Sequence, residues 1–319
     1  MAELNKLYCL TSDSNTATGE CVLDIGRIVG AIQVNPNKVY TESELQVLKT
    51  TLQNGIYASG IDRIYPLGTF DAITDGTADP QFQTLGYGLN VPVRQSPYNW
   101  TFQFVNGGFC RLRKLQDRNG RPISVFVFDE FDTLIGTKGT ADDGSIGMMG
   151  VPLDVFLARD WKANDGSNMT QYLLNLQFQS SYVNKNIAFV KSDFPLSSLK
   201  GLQDIILKVV SGPATGVVQI QPLAGCGNVN LYDLYSSELA AAALWKAFRA
   251  DTGASIPVSS VAANPGLKAF TVTLDTSDTN YTALTATGKV KLTLDSATAL
   301  KAADIVGYEG LPVEYVRGA

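Results

Sequence analysis

The residues best suited to chemistry are the carboxylates of VFVFDEFD at 125–132. An apolar run that ends in Asp129 and Glu130 is typical of a Walker B strand, where the Asp holds magnesium and the Glu positions water. That chemistry needs a phosphate-binding loop, GxxxxGK[ST], and the sequence contains none. Neighbours on a strand point to opposite faces, so Asp129 and Glu130 should not converge on a metal or a glycosidic bond. We therefore interpret these carboxylates, with Asp132, as the solvent end of a strand.

Histidine is absent from the chain. This removes Ser-His-Asp and Cys-His nucleophiles, zinc sites with His ligands and the commonest general base near neutral pH. The cysteines are Cys9, Cys21, Cys110 and Cys226, and no two of them form a C-x-x-C pair. The first residues do not resemble a secretory signal, so we expect reduced, buried thiols. No apolar run approaches the length of a membrane span.

Two loop motifs also fall short of a binding site. The turn DTSDTN at 275–280 lacks the glycine and the closing glutamate of an EF-hand, so a solvated turn is expected, with calcium binding left open. Gly86-Tyr87-Gly88 and Gly107-Gly108 are predicted not to precede helices, which argues against a dinucleotide site.

A cluster of aromatic residues could stack nucleic-acid bases if basic residues interleave with it. The aromatics are Tyr98, Trp100, Phe102, Phe104 and Phe109, and the nearby basic residues are Arg94, Arg111, Arg113 and Lys114. Core and interface packing on a β-hairpin is the favoured interpretation. The sequence thus predicts no catalytic, cofactor-binding or metal-binding residue, and no enzyme.

Composition indicates a globular, β-rich chain that is a poor polyanion binder. The 319 residues are 45% hydrophobic and 17% charged, which is enough to build a core. The net charge of −5 disfavours non-specific nucleic-acid binding, because affinity for phosphates comes from Lys and Arg.

The elements that must position these residues are mostly strands. One helix is predicted from Thr41, because Thr41 and Glu44 form a capping box and apolar residues follow at helical spacing. FCRLRKLQ at 109–116 is predicted as a strand that pairs with 123–130 through a turn at Asn119-Gly120. The glycine-rich segment 136–152 is predicted as a mobile loop or an arm that a partner orders.

A change of composition after Ser211 predicts two domains, 1–211 and 212–319, with a hinge at 211–216. In the second domain, 236–253 is predicted as a helix, whereas VVQIQPL, FTVTLD, VKLTLD and PVEYVR alternate as strands. The fold class is mainly β, with a β-sandwich or barrel beside one flanking helix and a small C-terminal β-sandwich.

The order of these features resembles the tail tube (major tail) proteins of tailed bacteriophages. The resemblance lies in QTLGYGLNVPV leading into NWTFQFVNGG, the segment FCRLRKLQDRNGRPISVFVFDEFDTLIG, the glycine-rich arm and LARDWKANDGSNMTQYLLNLQFQ. The β domain after Ser211 is similar to the Ig-like domains that such proteins often carry.

The resemblance implies a virion structural protein that self-associates into hexameric rings, which stack into a tube. Viral DNA would pass through the lumen without specific binding, other virion proteins would be neighbours, and no membrane would be involved. Assembly would take place in the host cytoplasm. Two alternatives stay open: a capsid or head-auxiliary protein, and a two-domain β adhesin or carbohydrate-binding module in which Trp100, Trp161 or Trp245 lines a groove.

Overall fold

The computed structural model describes residues 25–94, 96–167, 169–179, 182, 186–225, 229–285 and 287–317. The chain divides into two compact units, Met1–Gly201 and Leu202–Ala319. Both are built mainly from strands, which confirms the predicted fold class. The division precedes the predicted boundary, because residues 211–214 continue a strand and residues 215–216 form its hairpin turn rather than a hinge. The short apolar segments expected before residue 25 lie outside the described residues.

The first unit contains thirteen described strands and three α-helices. The strands are β1 (Ile28–Val34), β2 (Val39–Thr41), β3 (Tyr65–Thr69), β4 (Ala72–Asp75), β5 (Gln81–Thr84), β6 (Asn90–Arg94), β7 (Tyr98–Phe104), β8 (Ser124–Asp129), β9 (Thr133–Thr140), β10 (Ile146–Met149), β11 (Val151–Lys162), β12 (Gln171–Phe178) and β13 (Ile187–Lys191). The helices are α1 (Glu42–Gln46), α2 (Leu48–Tyr57) and α3 (Gly108–Gln116), with 3-10 turns at Gly60–Asp62 and Leu196–Ser198.

Eleven of these strands form one sheet that encloses a core. Its order is β2-β10-β9-β8-β11-β12-β7-β4, while β1 pairs with β3 and β8, and β13 pairs with β9. The start of β11 pairs with β8 and the rest of it with β12, so β11 joins two halves of the sheet. Val127 of one half and Leu174 of the other pack in a single buried cluster. This arrangement is the predicted sandwich or barrel.

The predicted first helix is present as two short helices with a break at Val47. Glu44 accepts the Thr41 backbone N–H at 2.8 Å, which confirms the capping box. Leu45, Leu48 and Leu52 are buried along one stripe, as their spacing predicted.

The prediction for residues 109–116 is wrong, because they form helix α3. Leu112 and Leu115 are buried three positions apart, and this spacing fits a helix better than a strand. There is therefore no hairpin at Asn119-Gly120; the turn joins α3 to β8. In that turn, Asn119 holds β11 with its side chain, accepting the Ala158 N–H at 2.8 Å and donating to the Ala158 carbonyl at 3.2 Å.

The glycine-rich segment 136–152 is not a loop or an arm. It contains most of β9, all of β10 and the start of β11. A Cβ atom on Gly136 would lie 2.6 Å from the Met149 carbonyl oxygen, and one on Gly147 would overlap the Tyr40 carbonyl of β2. The glycines here allow three strands to approach closely, which periodicity cannot reveal because glycine has no side chain.

The second unit contains two larger sheets around a separate core. Its strands are β14 (Gln203–Ala214), β15 (Val217–Ala224), β16 (Val229–Asn230), β17 (Trp245–Arg249), β18 (Ser255–Ile256), β19 (Val258–Asn264), β20 (Ala269–Leu274), β21 (Lys289–Leu294), β22 (Tyr308–Gly310) and β23 (Val313–Val316). Its helices are α4 (Tyr232–Tyr235), α5 (Thr279–Thr282) and α6 (Ala297–Ala302), with 3-10 turns at Glu238–Ala240 and Ala242–Leu244. One sheet has the order β19-β20-β15-β14-β22, with β16 beside β15, and the other has the order β18-β17-β21-β23.

The four strands predicted in this unit are confirmed as β15, β20, β21 and β23, but the helix predicted at 236–253 is wrong. Two 3-10 turns lead there into β17, which pairs with β21. Trp245 and Ala247 are buried with Lys246 exposed between them, so the alternation of a strand outweighs the helix propensity of alanine.

The expectation of reduced thiols is wrong for Cys110, which is half-buried on α3 and disulfide-bonded. Cys9, Cys21 and Cys226 lie outside the described residues. Pairing of distant cysteines depends on the tertiary fold, so spacing alone could not predict it. None of the helices that the structure describes is both long and apolar enough to cross a membrane.

Candidate functional site

The carboxylates of VFVFDEFD at 125–132 accept hydrogen bonds from backbone amides. Asp129 is fully buried, contrary to its predicted place at a solvent-exposed strand end. Its Oδ1 accepts the N–H groups of Phe131 and Thr133 at 3.0 and 2.8 Å, and its Oδ2 accepts that of Gly26 at 3.0 Å. These bonds close the turn from β8 to β9 and explain a buried carboxylate without a catalytic role.

The other two carboxylates of this stretch also serve local structure. Glu130 is exposed and accepts the Arg27 N–H at 3.2 Å, while Asp132 accepts the Leu196 N–H at 2.8 Å. Among the described residues, no group of three or more Asp, Glu, Cys or His side chains could hold a metal ion.

The carboxylates of the acidic turn at 275–280 likewise accept hydrogen bonds from nearby groups of the chain. Asp275 accepts both the N–H and the hydroxyl of Ser277, and Asp278 caps α5 by accepting the N–H of Asn280 at 2.8 Å. These are the hydrogen bonds of a tight turn and a helix cap.

The second glycine pair does precede a helix, contrary to prediction, because α3 begins at Gly108. The space at this helix start is filled by Arg111. A Cβ on Gly107 would lie 2.7 Å from the Arg111 Cδ, so the loop offers no open cradle for a phosphate.

Arg111, one of the basic residues near the predicted base-stacking cluster, has a structural role. Its guanidinium lies 4.2 Å from the ring centre of Phe104 and donates to the carbonyl oxygens of Leu67 and Thr69. Burial lowers the pKa of Arg111, and the nearby charge of Asp71 opposes that shift. The cation thus ties α3 to β3 and the core.

The aromatic residues of the cluster pack mostly inward. Phe102 and Phe104 are fully buried, and Tyr98 and Trp100 are half-buried against the same core. Only Phe109 of this set exposes more than half of its surface, at 55%. The favoured interpretation as packing aromatics therefore holds for four of the five.

The first surface with functional potential is the hairpin of β5 and β6, here called the apolar hairpin. Its two strands pair with each other and with no other described strand. Phe82 is 61% exposed, Tyr87 is completely exposed, and Leu85 and Leu89 beside it are also open to solvent. The sequence predicts a projecting arm at 136–152 and not at the apolar hairpin, although LGYGL is a turn signal between two short runs.

The second surface is a groove of about 690 Å³ beside the exposed Trp161, here called the Trp161 groove. It is lined by Thr74, Thr101, Gln103, Gln116, Asn119, Leu157, Ala158, Arg159, Asp160, Trp161, Lys162 and Leu173. The sequence contains the tryptophan but does not reveal the groove, because the lining comes from four strands, the end of α3 and the turn after it.

The three tryptophans, at least one of which the carbohydrate-binding alternative requires in a groove, lie in different environments. Trp161 is 46% exposed and lines the Trp161 groove, whereas Trp245 is buried in the second unit. Trp100 is half-buried, 4.8 Å from Phe178. Only Trp161 therefore meets the requirement.

Comparison of the chain with protein-family models finds no match, and comparison with curated proteins finds none either.

Proposed function

We propose that this chain is a virion structural protein, the tail tube subunit of a bacteriophage, which assembles into stacked rings around a DNA conduit. The observation that carries the proposal is the apolar hairpin. An isolated two-stranded hairpin is marginal in water, and this one exposes Phe82 and Tyr87. Large apolar groups that project from a soluble fold mark an association surface.

The partner that fits this surface is another copy of the chain. Closed homo-oligomers are the commonest assemblies. A hairpin that contacts a different surface of its neighbour makes a head-to-tail interface, which generates a ring when the rotation between subunits closes. Such a contact would cover the side chains that are exposed in the single chain.

The charge of the chain supports the conduit. A lumen through which DNA slides must not bind phosphates strongly, and the chain carries 30 acidic against 25 basic residues. Asp129, Asp132 and Arg111 all make hydrogen bonds within the fold. This use of charged side chains agrees with a structural role for the protein.

Negative-stain electron microscopy and light scattering of the purified chain test the proposal. We expect rings or tubes from the wild type and monomers from the double variant Phe82→Ser/Tyr87→Ser. The variant should melt at the temperature of the wild type diluted until it is unassembled, because both side chains are exposed in the single chain. The matched control is Leu234→Ser/Leu267→Ser, which removes two exposed apolar groups from the second unit and should still assemble.

Three results would contradict the proposal. A wild type that stays monomeric at high concentration would remove self-assembly altogether. A Phe82→Ser/Tyr87→Ser variant that assembles like the wild type would remove the role of the hairpin. Closed shells in place of tubes would identify a head component instead.

A further inference from the structure

We propose that the Trp161 groove binds a neutral pyranose oligosaccharide, a function that is separate from assembly. The volume of about 690 Å³ lies within the range of small-molecule sites, roughly 300 to 1,000 Å³. Its lining combines one exposed indole with hydroxyl and amide side chains and with the charged side chains of Arg159, Asp160 and Lys162. An apolar plate beside groups that both donate and accept hydrogen bonds matches a sugar ring, which has C–H faces and hydroxyl edges.

The indole of Trp161 is held in place by aromatic neighbours. The ring of Phe109 lies 5.3 Å from it at an interplanar angle of 82°, and Phe109 in turn lies 5.5 Å from the buried Tyr172 at the same angle. These edge-to-face contacts connect Trp161 to the core while 46% of its surface stays open. A plate that is already ordered loses little entropy when a ligand stacks on it.

The polar part of the groove comes from the sheet face that points away from the core. Thr101 and Gln103 alternate along β7 with the buried Phe102 and Phe104, so they lie on the opposite face. The Thr101 hydroxyl accepts from Asn175 at 3.1 Å and keeps its own proton to donate. Among the described residues, the side-chain amide of Gln103 makes one long hydrogen bond, 3.5 Å to the Thr74 hydroxyl. It can therefore exchange this partner for a hydroxyl of a ligand.

A second side of the groove is fixed by Asn119. Its amide pairs with both backbone groups of Ala158, so the turn after α3 and the edge of β11 move as one piece. Gln116, one turn earlier on α3, also lines this side. The polar groups of the groove therefore sit on regular elements rather than on a loose loop.

The charges in the groove favour a neutral ligand over a nucleic acid. Arg159 and Lys162 flank Asp160, so two cations and one anion line the groove. Binding of a single strand needs a track of cations along its phosphates, together with several stacking platforms. The groove has one exposed indole and almost balanced charge, which suits hydroxyl groups better than phosphates.

The test uses the full-length chain on an array of immobilised oligosaccharides, followed by NMR titration with two neutral trisaccharides, cellotriose and N,N′,N″-triacetylchitotriose. We expect binding to neutral oligosaccharides, a loss of affinity of at least tenfold in Trp161→Ala, and a smaller loss in Gln103→Leu. Trp161→Phe should keep part of the affinity, because a phenyl ring still stacks. Phe131→Ala is the matched control, since it removes an exposed aromatic side chain outside both the groove and the apolar hairpin and should bind like the wild type.

An array without binding, or equal affinities for the wild type and Trp161→Ala, would overturn the proposal. Tighter binding of a thymidine oligonucleotide than of either trisaccharide would also overturn it and assign the groove to nucleic acid. The titrations are repeated in Phe82→Ser/Tyr87→Ser, so that loss of assembly and loss of sugar binding are scored separately.

Discussion

The glycine-rich segment 136–152 and the apolar hairpin at 81–94 share one sequence feature but differ in structure. Both interrupt apolar residues with glycine. In the first, added Cβ atoms at Gly136 and Gly147 would collide with neighbouring backbone, whereas in the second, Gly86 and Gly88 have no neighbouring heavy atom within 4 Å of such a Cβ. One glycine set lets strands approach closely, and the other gives a turn its freedom.

The difference shows that glycine content alone does not identify a mobile arm. What separates the two regions is whether other strands are available on both sides. β9 has β8, β10 and β13 as neighbours, whereas β6 is the single described strand that pairs with β5. A segment that lacks such neighbours within its own chain exposes its apolar residues, and this makes it the better candidate for contact with a second molecule.

The largest expected difference in stability between the two regions comes from replacing one glycine of each with alanine. Gly147→Ala should cost about 3 kcal/mol of unfolding free energy, because the Cβ would overlap the Tyr40 carbonyl and separate β10 from β2. Gly86→Ala should change it by less than about 0.5 kcal/mol, because the site is open. Urea unfolding of the two variants measures both values, and equal losses would break the comparison.

The elements predicted correctly are those whose own side chains carry the signal. Alternating apolar residues in β7, β12 and β20 identified strands, and Thr41 with Glu44 identified a helix start. The errors fall where two patterns fit one stretch. Residues 109–116 satisfy both alternation and the three-residue spacing of Leu112 and Leu115, and the burial of these two side chains on the core decided for a helix.

The surfaces were harder to predict than the elements. The apolar hairpin was present in the sequence as LGYGL, but exposure depends on which strands lack partners, and pairing is a property of the whole fold. The Trp161 groove joins Thr74, Thr101 and Trp161 from distant parts of the chain. The stretch around Asp129 looked catalytic because a buried carboxylate that closes a turn and one that binds magnesium occupy the same place at the end of a strand.

A smaller loss of stability should follow from Asp129→Asn. This variant tests how much the turn from β8 into β9 depends on the buried carboxylate. The Asn oxygen can keep the N–H groups of Phe131 and Thr133, but its NH₂ would face the Gly26 N–H, so one hydrogen bond becomes a clash of donors. We expect a loss of about 2 kcal/mol in urea unfolding. Glu130→Gln, next to it but exposed, should lose less than about 0.5 kcal/mol. A similar loss in both variants would mean that the turn does not depend on burial of Asp129.

The smallest expected loss of stability concerns β2, the edge strand that pairs with β10 at Gly147. Glu44 joins this strand to α1 by accepting the Thr41 N–H at 2.8 Å and by pairing with Lys38 at 2.9 Å. Burial alone would raise the pKa of Glu44, but these two partners outweigh it and hold the pKa below its ordinary value of 4.5. A carboxyl whose pKa is lowered on folding stabilises the fold above its ordinary pKa, and the contribution disappears as the pH falls through the lowered value.

Glu44→Gln should therefore cost less than about 1 kcal/mol at neutral pH, because the pair is partly solvated. The cost should shrink as the pH falls below 4.5 and through the lowered pKa of Glu44. Urea unfolding across this range measures it. Glu42→Gln is the control, because it removes a charge from the same first turn without removing the bonds to Thr41 and Lys38. If the two variants showed the same pH profile, the pH dependence of stability would come from the charge at the helix start, not from the bonds of Glu44. The stability of β2 would then rest on its close approach to Gly147 rather than on its link to α1.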